Sequence, residues 1–190
     1  MTLRASLVLP LLVATQLIVA WDDAAFISGV WQGEAHYDAD GEFSNCTMTA
    51  QAESGVLIAF IITKHHDWGL VLADETREYK PGASEPVALV VDQGDPLPAI
   101  AKVIDVHGIL IPLADSDPVI EALREGTVLT IVAKETKFSF KLTGTKSAIA
   151  ELAACVTEHL DSEKVALPGQ RRENSFSISA SFSSIYVGRP

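Results

Sequence analysis

Residues 43–63 read FSNCTMTAQAESGVLIAFIIT and contain two strand-like runs around one polar turn. The runs are Phe43 to Ala52 and Val56 to Thr63, with Glu53-Ser54-Gly55 between them. β-Branched and aromatic residues favour strands, whereas small polar residues followed by a glycine favour a tight connection. The stretch therefore predicts a β-hairpin, and much of the remaining chain repeats its pattern of short strands and turns.

Further strands are predicted on both sides of this hairpin. Val30 to Tyr37 alternates between two faces, which is typical of a half-buried strand. The other predicted strands are Trp68 to Leu72, Val87 to Val91, Ile100 to Val106, Ile109 to Leu113, Val128 to Ala133 and Phe138 to Leu142.

Two helices are predicted from capping residues and from apolar spacing. The first covers Pro118 to Glu125, with Asp117 as N-cap and Gly126 just past its end. The second covers Lys146 to His159, with Thr145 as N-cap. We therefore expect an α+β fold: a mostly antiparallel, β-rich domain, sandwich-like or barrel-like, with two short helices and one disulfide.

The N-terminal segment has the layout of a secretory signal peptide. Arg4 is its only charge, an apolar run extends from Leu7 to Val19, and Asp22 and Asp23 follow soon after Ala20. A membrane-spanning helix needs about 20 apolar residues, more than this run supplies. We predict a cleaved signal at residues 1–20, with an uncleaved anchor as the alternative, and a periplasmic or secreted location without a stable transmembrane anchor after cleavage.

The rest of the chain is predicted to hold one globular domain, residues 21–160, followed by a polar tail, residues 161–190. Past Leu160 the composition becomes polar, and Ser175 to Phe182 alternates serine with apolar residues. We expect this tail to be disordered or weakly ordered, with an edge strand as the alternative.

Cys46 and Cys155 are the two cysteines of the chain. An oxidising compartment outside the cytoplasm would pair them, so we predict a Cys46–Cys155 disulfide. The alternative is two buried free thiols. Metal ligation by the pair is not expected, on the argument that neither cysteine has a second cysteine or a histidine at ligand spacing.

The charge balance excludes one class of partner. The formal net charge is −11, whereas nucleic-acid binding needs a clustered basic surface that releases counterions from the phosphates. No nucleic-acid partner is therefore expected. A protein or a component of the cell envelope is the kind of partner that remains.

His65-His66-Asp67 is the densest group of possible metal ligands. Neighbouring residues of a strand point to opposite faces, so the group could hold one ion only on a turn, with help from distant histidines. A solvated hairpin turn is the favoured interpretation. The histidines that would have to converge on it are His36, His107 and His159.

Other candidate residues are interpreted as structural. Asp92-Gln93-Gly94-Asp95 lacks the further ligands of a calcium loop and predicts a turn. Ser84 does not match the nucleophile elbow and is expected in a loop. Trp31 and Trp68 are expected to be core residues rather than stacking platforms, and Arg171-Arg172 a solvated pair. We predict no catalytic residue, no cofactor site and no metal site.

Several motifs together resemble a known group of proteins. They are Phe43-Ser44-Asn45-Cys46-Thr47-Met48, Trp68-Gly69-Leu70, Val87 to Asp92, Phe138 to Thr145 and Leu152-Ala153-Ala154-Cys155-Val156. Across about two thirds of the chain they are similar to small exported alphaproteobacterial proteins of unassigned function and, more distantly, to the invasion associated locus B family of periplasmic proteins. The resemblance implies the fold and export. It carries over no catalytic residue, and the second cysteine pair of the locus B family is absent.

The expected function is that of an exported, non-enzymatic binding or interaction protein of unknown ligand. The alternative is a hydrolase of an envelope or extracellular polymer, with carboxylates as acid and base. A third hypothesis is an assembly factor whose Ser-rich end adds as a strand to a partner sheet.

Overall fold

The computed structural model of the chain describes residues 26–113, 117–134 and 136–165. The predicted signal segment, the Arg171-Arg172 pair and the Ser-rich stretch from Ser175 to Phe182 lie outside the described residues, so what was expected of them stays a prediction. Within the described ranges, no helix has the length and apolar character needed to cross a membrane.

Within the described residues, ten strands form one antiparallel sheet. They are β1 (Phe26–Ser28), β2 (Trp31–Tyr37), β3 (Phe43–Gln51), β4 (Leu57–Thr63), β5 (Trp68–Ala73), β6 (Ser84–Val91), β7 (Leu97–Asp105), β8 (Gly108–Leu113), β9 (Val128–Ala133) and β10 (Thr136–Lys141). Their order across the sheet is β1-β2-β3-β4-β5-β8-β7-β6-β9-β10, and the sheet is not closed into a barrel. The predicted mostly antiparallel, β-rich fold with two helices is confirmed.

The helices are α1 (Asp117–Glu125) and α2 (Thr145–Val165). α2 packs against β1 to β4 and against α1. It continues six residues past His159, where the sequence analysis ended it. The predicted end followed the apolar spacing, but the exposed last turns contain Asp161 and Ser162 and need no apolar face to stay helical.

Three prolines inside strands occupy positions where the strand has one neighbour. Pro86 of β6 pairs with Ile100 before β9 begins to pair with that strand. Pro98 of β7 precedes the residues that pair with β8, and Pro112 of β8 follows the residues that pair with β7. Proline lacks an N–H and is tolerated where one side of the strand needs no ladder bond. Pro86 and Pro98 therefore do not interrupt β6 and β7, and both strands begin earlier than predicted. Ser84, which was expected in a loop, is the first residue of β6.

A predicted link joins the helix to the sheet. Cys46 of β3 and Cys155 of α2 form a disulfide with their Cα atoms 6.3 Å apart, which confirms the predicted bond. Both cysteines are buried in the hydrophobic core. The bond fastens α2 to the inner face of the sheet near the middle of the helix.

A second link holds the start of α2. Trp31 of β2 is fully buried, and its Nε1 donates a hydrogen bond of 3.1 Å to Oγ1 of Thr145, which is also fully buried. The Trp31 ring meets Phe60 edge-on at 5.5 Å. Trp31 is thus a core residue as predicted, while Trp68 is partly buried and packs against the core.

β1 was missed by the sequence analysis because three residues are too few to show a period. It pairs with β2, and Phe26 lies opposite Gly33. A Cβ atom on Gly33 would overlap the Phe26 ring. The glycine therefore leaves room for an aromatic side chain that covers the end of the sheet.

Replacing both Cys46 and Cys155 with alanine is expected to lower the free energy of unfolding by about 2–5 kcal/mol, because the bond closes a long loop in the unfolded chain. Urea unfolding of the oxidised wild type and of the double variant measures the difference. Wild type kept reduced by a thiol in the buffer should lose a similar part of its stability. A difference under about 1 kcal/mol would contradict the stabilising role.

Gly33→Ala is expected to destabilise the protein by about 1–3 kcal/mol, because the new methyl group displaces Phe26. Once Phe26→Ala is present, adding Gly33→Ala should cost much less, and urea unfolding of the four proteins measures this coupling. Gly108→Ala is the matched control, since its Cβ would meet nothing closer than 3.5 Å. Equal costs of Gly33→Ala in both backgrounds would rule out the proposed overlap.

Candidate functional site

His65-His66-Asp67 forms the turn between β4 and β5. The backbone N–H groups of His65 and Asp67 each donate to Oγ1 of Thr63 at 3.2 Å. His66 has a φ of 64°, in the left-handed region that tight turns use. The arrangement is that of a hairpin turn closed by local hydrogen bonds.

The three other histidines do not converge on this turn, because each is held elsewhere. Burial lowers the pKa of His36 and so favours the neutral ring. The partners are Thr47 for His36 at 2.8 Å, the Arg77 carbonyl for His107 at 2.6 Å and Tyr37 for His159 at 3.0 Å.

Asp92 has a structural role in the turn that follows β6. Its carboxylate accepts hydrogen bonds from the backbone N–H groups of Thr127 and Val128 at 3.0 Å and 2.9 Å. It therefore fixes the start of β9 beside the end of β6. The Asp92 carboxylate, which suggested part of a calcium loop, instead accepts hydrogen bonds that hold two strands together.

A concave surface with mixed polar and apolar lining lies beside β10, at one end of the sheet. We call it the edge cleft: about 870 Å³, lined by Thr136–Lys141 of β10, the β3–β4 turn, the loop after β5, and Val30 and Trp31. β10 pairs with β9 on one side only. Among the described residues, no strand pairs with its other side.

Arg77 closes one end of the edge cleft. Its Nη2 donates to Oγ1 of Thr136 at 2.7 Å, and its guanidinium lies 5.0 Å from the centre of the Phe138 ring. Asp74, which is almost fully buried, holds Arg77 through a 3.1 Å contact with Nε and also accepts a hydrogen bond from the Thr76 hydroxyl. The loop after β5 is thereby fixed against the first residue of β10.

Lys141 and Glu53 meet at the other end. Nζ of Lys141 lies 2.9 Å from Oε1 of Glu53, and both side chains are exposed. The hydrogen bond from Lys141 lowers the pKa of Glu53. This pair joins the last residue of β10 to the β3–β4 turn, 88 positions away in sequence.

The surface of β10 alternates in character. Phe138 and Phe140 point into the core, whereas Lys137, Ser139 and Lys141 are exposed. Lys137 and Lys141, together with the neighbouring Arg77, make the surface around β10 basic, although the net charge of the chain is −11. Lysines on an edge strand hinder unspecific pairing with other sheets and favour acidic partners.

In the described part of the edge cleft, the carboxylates are engaged by cations and do not form a free pair of acid and base. Among the described residues that line it, Glu53 and Asp74 carry carboxylates, and each is engaged by a cation. A general acid requires a raised pKa, whereas that of Glu53 is lowered.

A second group was missed by the sequence analysis. His159 follows Cys155 by four residues, one turn of α2, so the argument that neither cysteine has a histidine at ligand spacing was wrong. A ring nitrogen of His159 and the Sγ atoms of Cys46 and Cys155 all lie within 4.8 Å of one another. Residues i and i+4 of a helix lie on the same face, so the positions of Cys155 and His159 in the predicted second helix could have indicated this group.

Comparison with known proteins identifies the fold. No family model matches the chain, and no curated protein sequence matches it. Among solved structures, the chain is similar to the crystal structure of invasion associated protein B from Bartonella henselae. The two share 19% identity with a TM-score of 0.53, over 70% of this chain and 97% of that chain. The resemblance inferred from the motifs around Cys46 and Cys155 is confirmed as a likeness of fold.

Proposed function

We propose that the chain is an exported, non-enzymatic binding protein that takes up an extended segment of a partner protein along the open side of β10. The observation that carries the proposal is the edge cleft, in which an end strand of the sheet lies beside a groove bounded at both ends. An extended segment that pairs with such a strand gains backbone hydrogen bonds, and pockets along the groove select its side chains.

Export is part of this proposal, supported by the predicted signal segment and by the disulfide. A disulfide persists in compartments that are oxidising and is rare in the cytosol. The similar fold of a protein described as invasion associated is compatible with a role outside the cytoplasm.

The lining of the cleft indicates the chemistry of the partner. Lys137 and Lys141 favour acidic side chains, since opposite charges across an interface guide association and discourage wrong partners. Val30, which is 61% exposed at this surface, offers apolar contact. We therefore expect a segment that alternates acidic and apolar residues.

The test uses the full chain and two fluorescein-labelled peptides, one alternating valine and threonine with glutamate, the other with lysine in place of glutamate. The glutamate peptide is expected to bind at least about five-fold more tightly than the lysine peptide, a difference in binding free energy of about 1 kcal/mol. Fluorescence anisotropy measures binding, and hydrogen exchange should show slower exchange of β10 amides when the peptide is bound.

The matched variants reverse charge on different strands. Lys137→Glu together with Lys141→Glu should remove the preference for the glutamate peptide, while Lys102→Glu on the exposed face of β7 should leave it unchanged. Binding without slower exchange in β10, or an equal effect of Lys102→Glu, would refute strand addition at this site.

A further inference from the structure

We infer that reduction of the Cys46–Cys155 disulfide creates a zinc site whose third protein ligand is His159. This goes beyond the proposed binding function, because it assigns a metal site to the opposite part of α2 from the edge cleft. Two thiolates and one imidazole form a donor set that suits Zn²⁺, with a fourth position left for water.

The backbone already places the three ligands together. Cys46 comes from β3, whereas Cys155 and His159 lie one turn apart on α2. With a Zn–S distance of about 2.3 Å and a Zn–N distance of about 2.0 Å, tetrahedral geometry separates ligand atoms by about 3.5–3.8 Å. Side-chain rotation after cleavage of the S–S bond can reach this spacing, since the Cα atoms are 6.3 Å apart and the ligand atoms lie within 4.8 Å.

The surroundings hold the histidine ring in place. The Phe43 ring is stacked on the His159 ring at 5.1 Å with planes 16° apart, and the Tyr37 ring meets it edge-on at 5.7 Å. The Tyr37 hydroxyl lies 3.0 Å from Nδ1 of His159. A hydrogen bond to the second ring nitrogen is the usual way in which a protein orients a metal-binding histidine.

Burial divides the site into a dry side and an open side. Both cysteines are buried, with Cys46 fully inaccessible, whereas His159 is partly exposed. An ion bound here would have its sulfur ligands in the core and its open position on the side of His159. Water can occupy that position, as in zinc sites with three protein ligands.

The reaction balances with a dithiol as the reductant. Two electrons and two protons pass from the dithiol to the protein disulfide, which leaves two thiols on the protein and one disulfide on the reductant. Zn²⁺ then binds both sulfurs as thiolates and releases their two protons. In the oxidised protein the sulfurs are bonded to each other and the site does not exist.

The experiment compares the oxidised chain with chain reduced by dithiothreitol and freed of reductant under argon. Competition with a chromophoric chelator measures the affinity for Zn²⁺. The reduced wild type is expected to bind one equivalent, and reduced His159→Ala to bind about ten-fold or more weakly, since it retains both thiols but lacks one ligand. Cobalt substitution should produce thiolate-to-metal absorption together with strong visible bands of tetrahedral Co²⁺.

His65→Ala is the matched control, since His65 is an exposed histidine in the β4–β5 turn. It should leave the affinity of the reduced chain unchanged. Equal affinity of reduced wild type and reduced His159→Ala, or equal affinity of oxidised and reduced chains, would overturn the inference. So would absence of binding, or loss of the far-ultraviolet β signal on reduction, because then no folded dithiol state holds the three ligands.

Discussion

The bond between Cys46 and Cys155 and the hydrogen bond from Trp31 to Thr145 hold α2 against the sheet at two points. An antiparallel sheet with an apolar face needs a second layer to cover it, and here α2 forms that layer over β1 to β4. The apolar side of the helix, with Ala148, Ile149 and Leu152 buried, completes the contact. The position of this helix determines what the two ends of the sheet can do.

Among the described residues, no strand pairs with the outer side of β1 or of β10, and the two ends of the sheet differ. β1 has three described residues and packs against α2. β10 has six, after which Leu142 and Gly144 lead the chain into α2. Gly144, with a φ of 82°, makes the turn that takes the chain away from the sheet. The outer side of β10 therefore stays open in the described part of the chain. Its exposed lysines flank this edge, and Arg77 and Glu53 lie at its two ends.

Much of the fold could be predicted from local pattern, since strands with β-branched residues and capped helices follow short-range rules. The disulfide could be predicted from two cysteines and a signal-like segment. The edge cleft could not, because it depends on contacts between residues far apart in the chain: Arg77 with Thr136 and Lys141 with Glu53. Tyr37, the last residue of β2, is 52% exposed, and the β2–β3 register shifts between His36 and Tyr37. Its hydroxyl lies 3.0 Å from Nδ1 of His159, 122 positions away in sequence, a contact that no local rule could indicate.

The two candidate sites lie at different ends of α2, and this separation has a physical consequence. The edge cleft adjoins the start of the helix, where Trp31 and Thr145 are buried together, whereas His159 lies almost four turns further along. Cleavage of the disulfide removes a link beside His159 and leaves the contacts of Thr145, Ala148 and Leu152 with the core in place. The second half of α2 also keeps the buried Val156 and the ring contacts of His159 with Phe43 and Tyr37. Reduction should therefore leave both halves of α2 and the edge cleft in place, so that metal binding at one end and peptide binding at the other are separable properties of one helix.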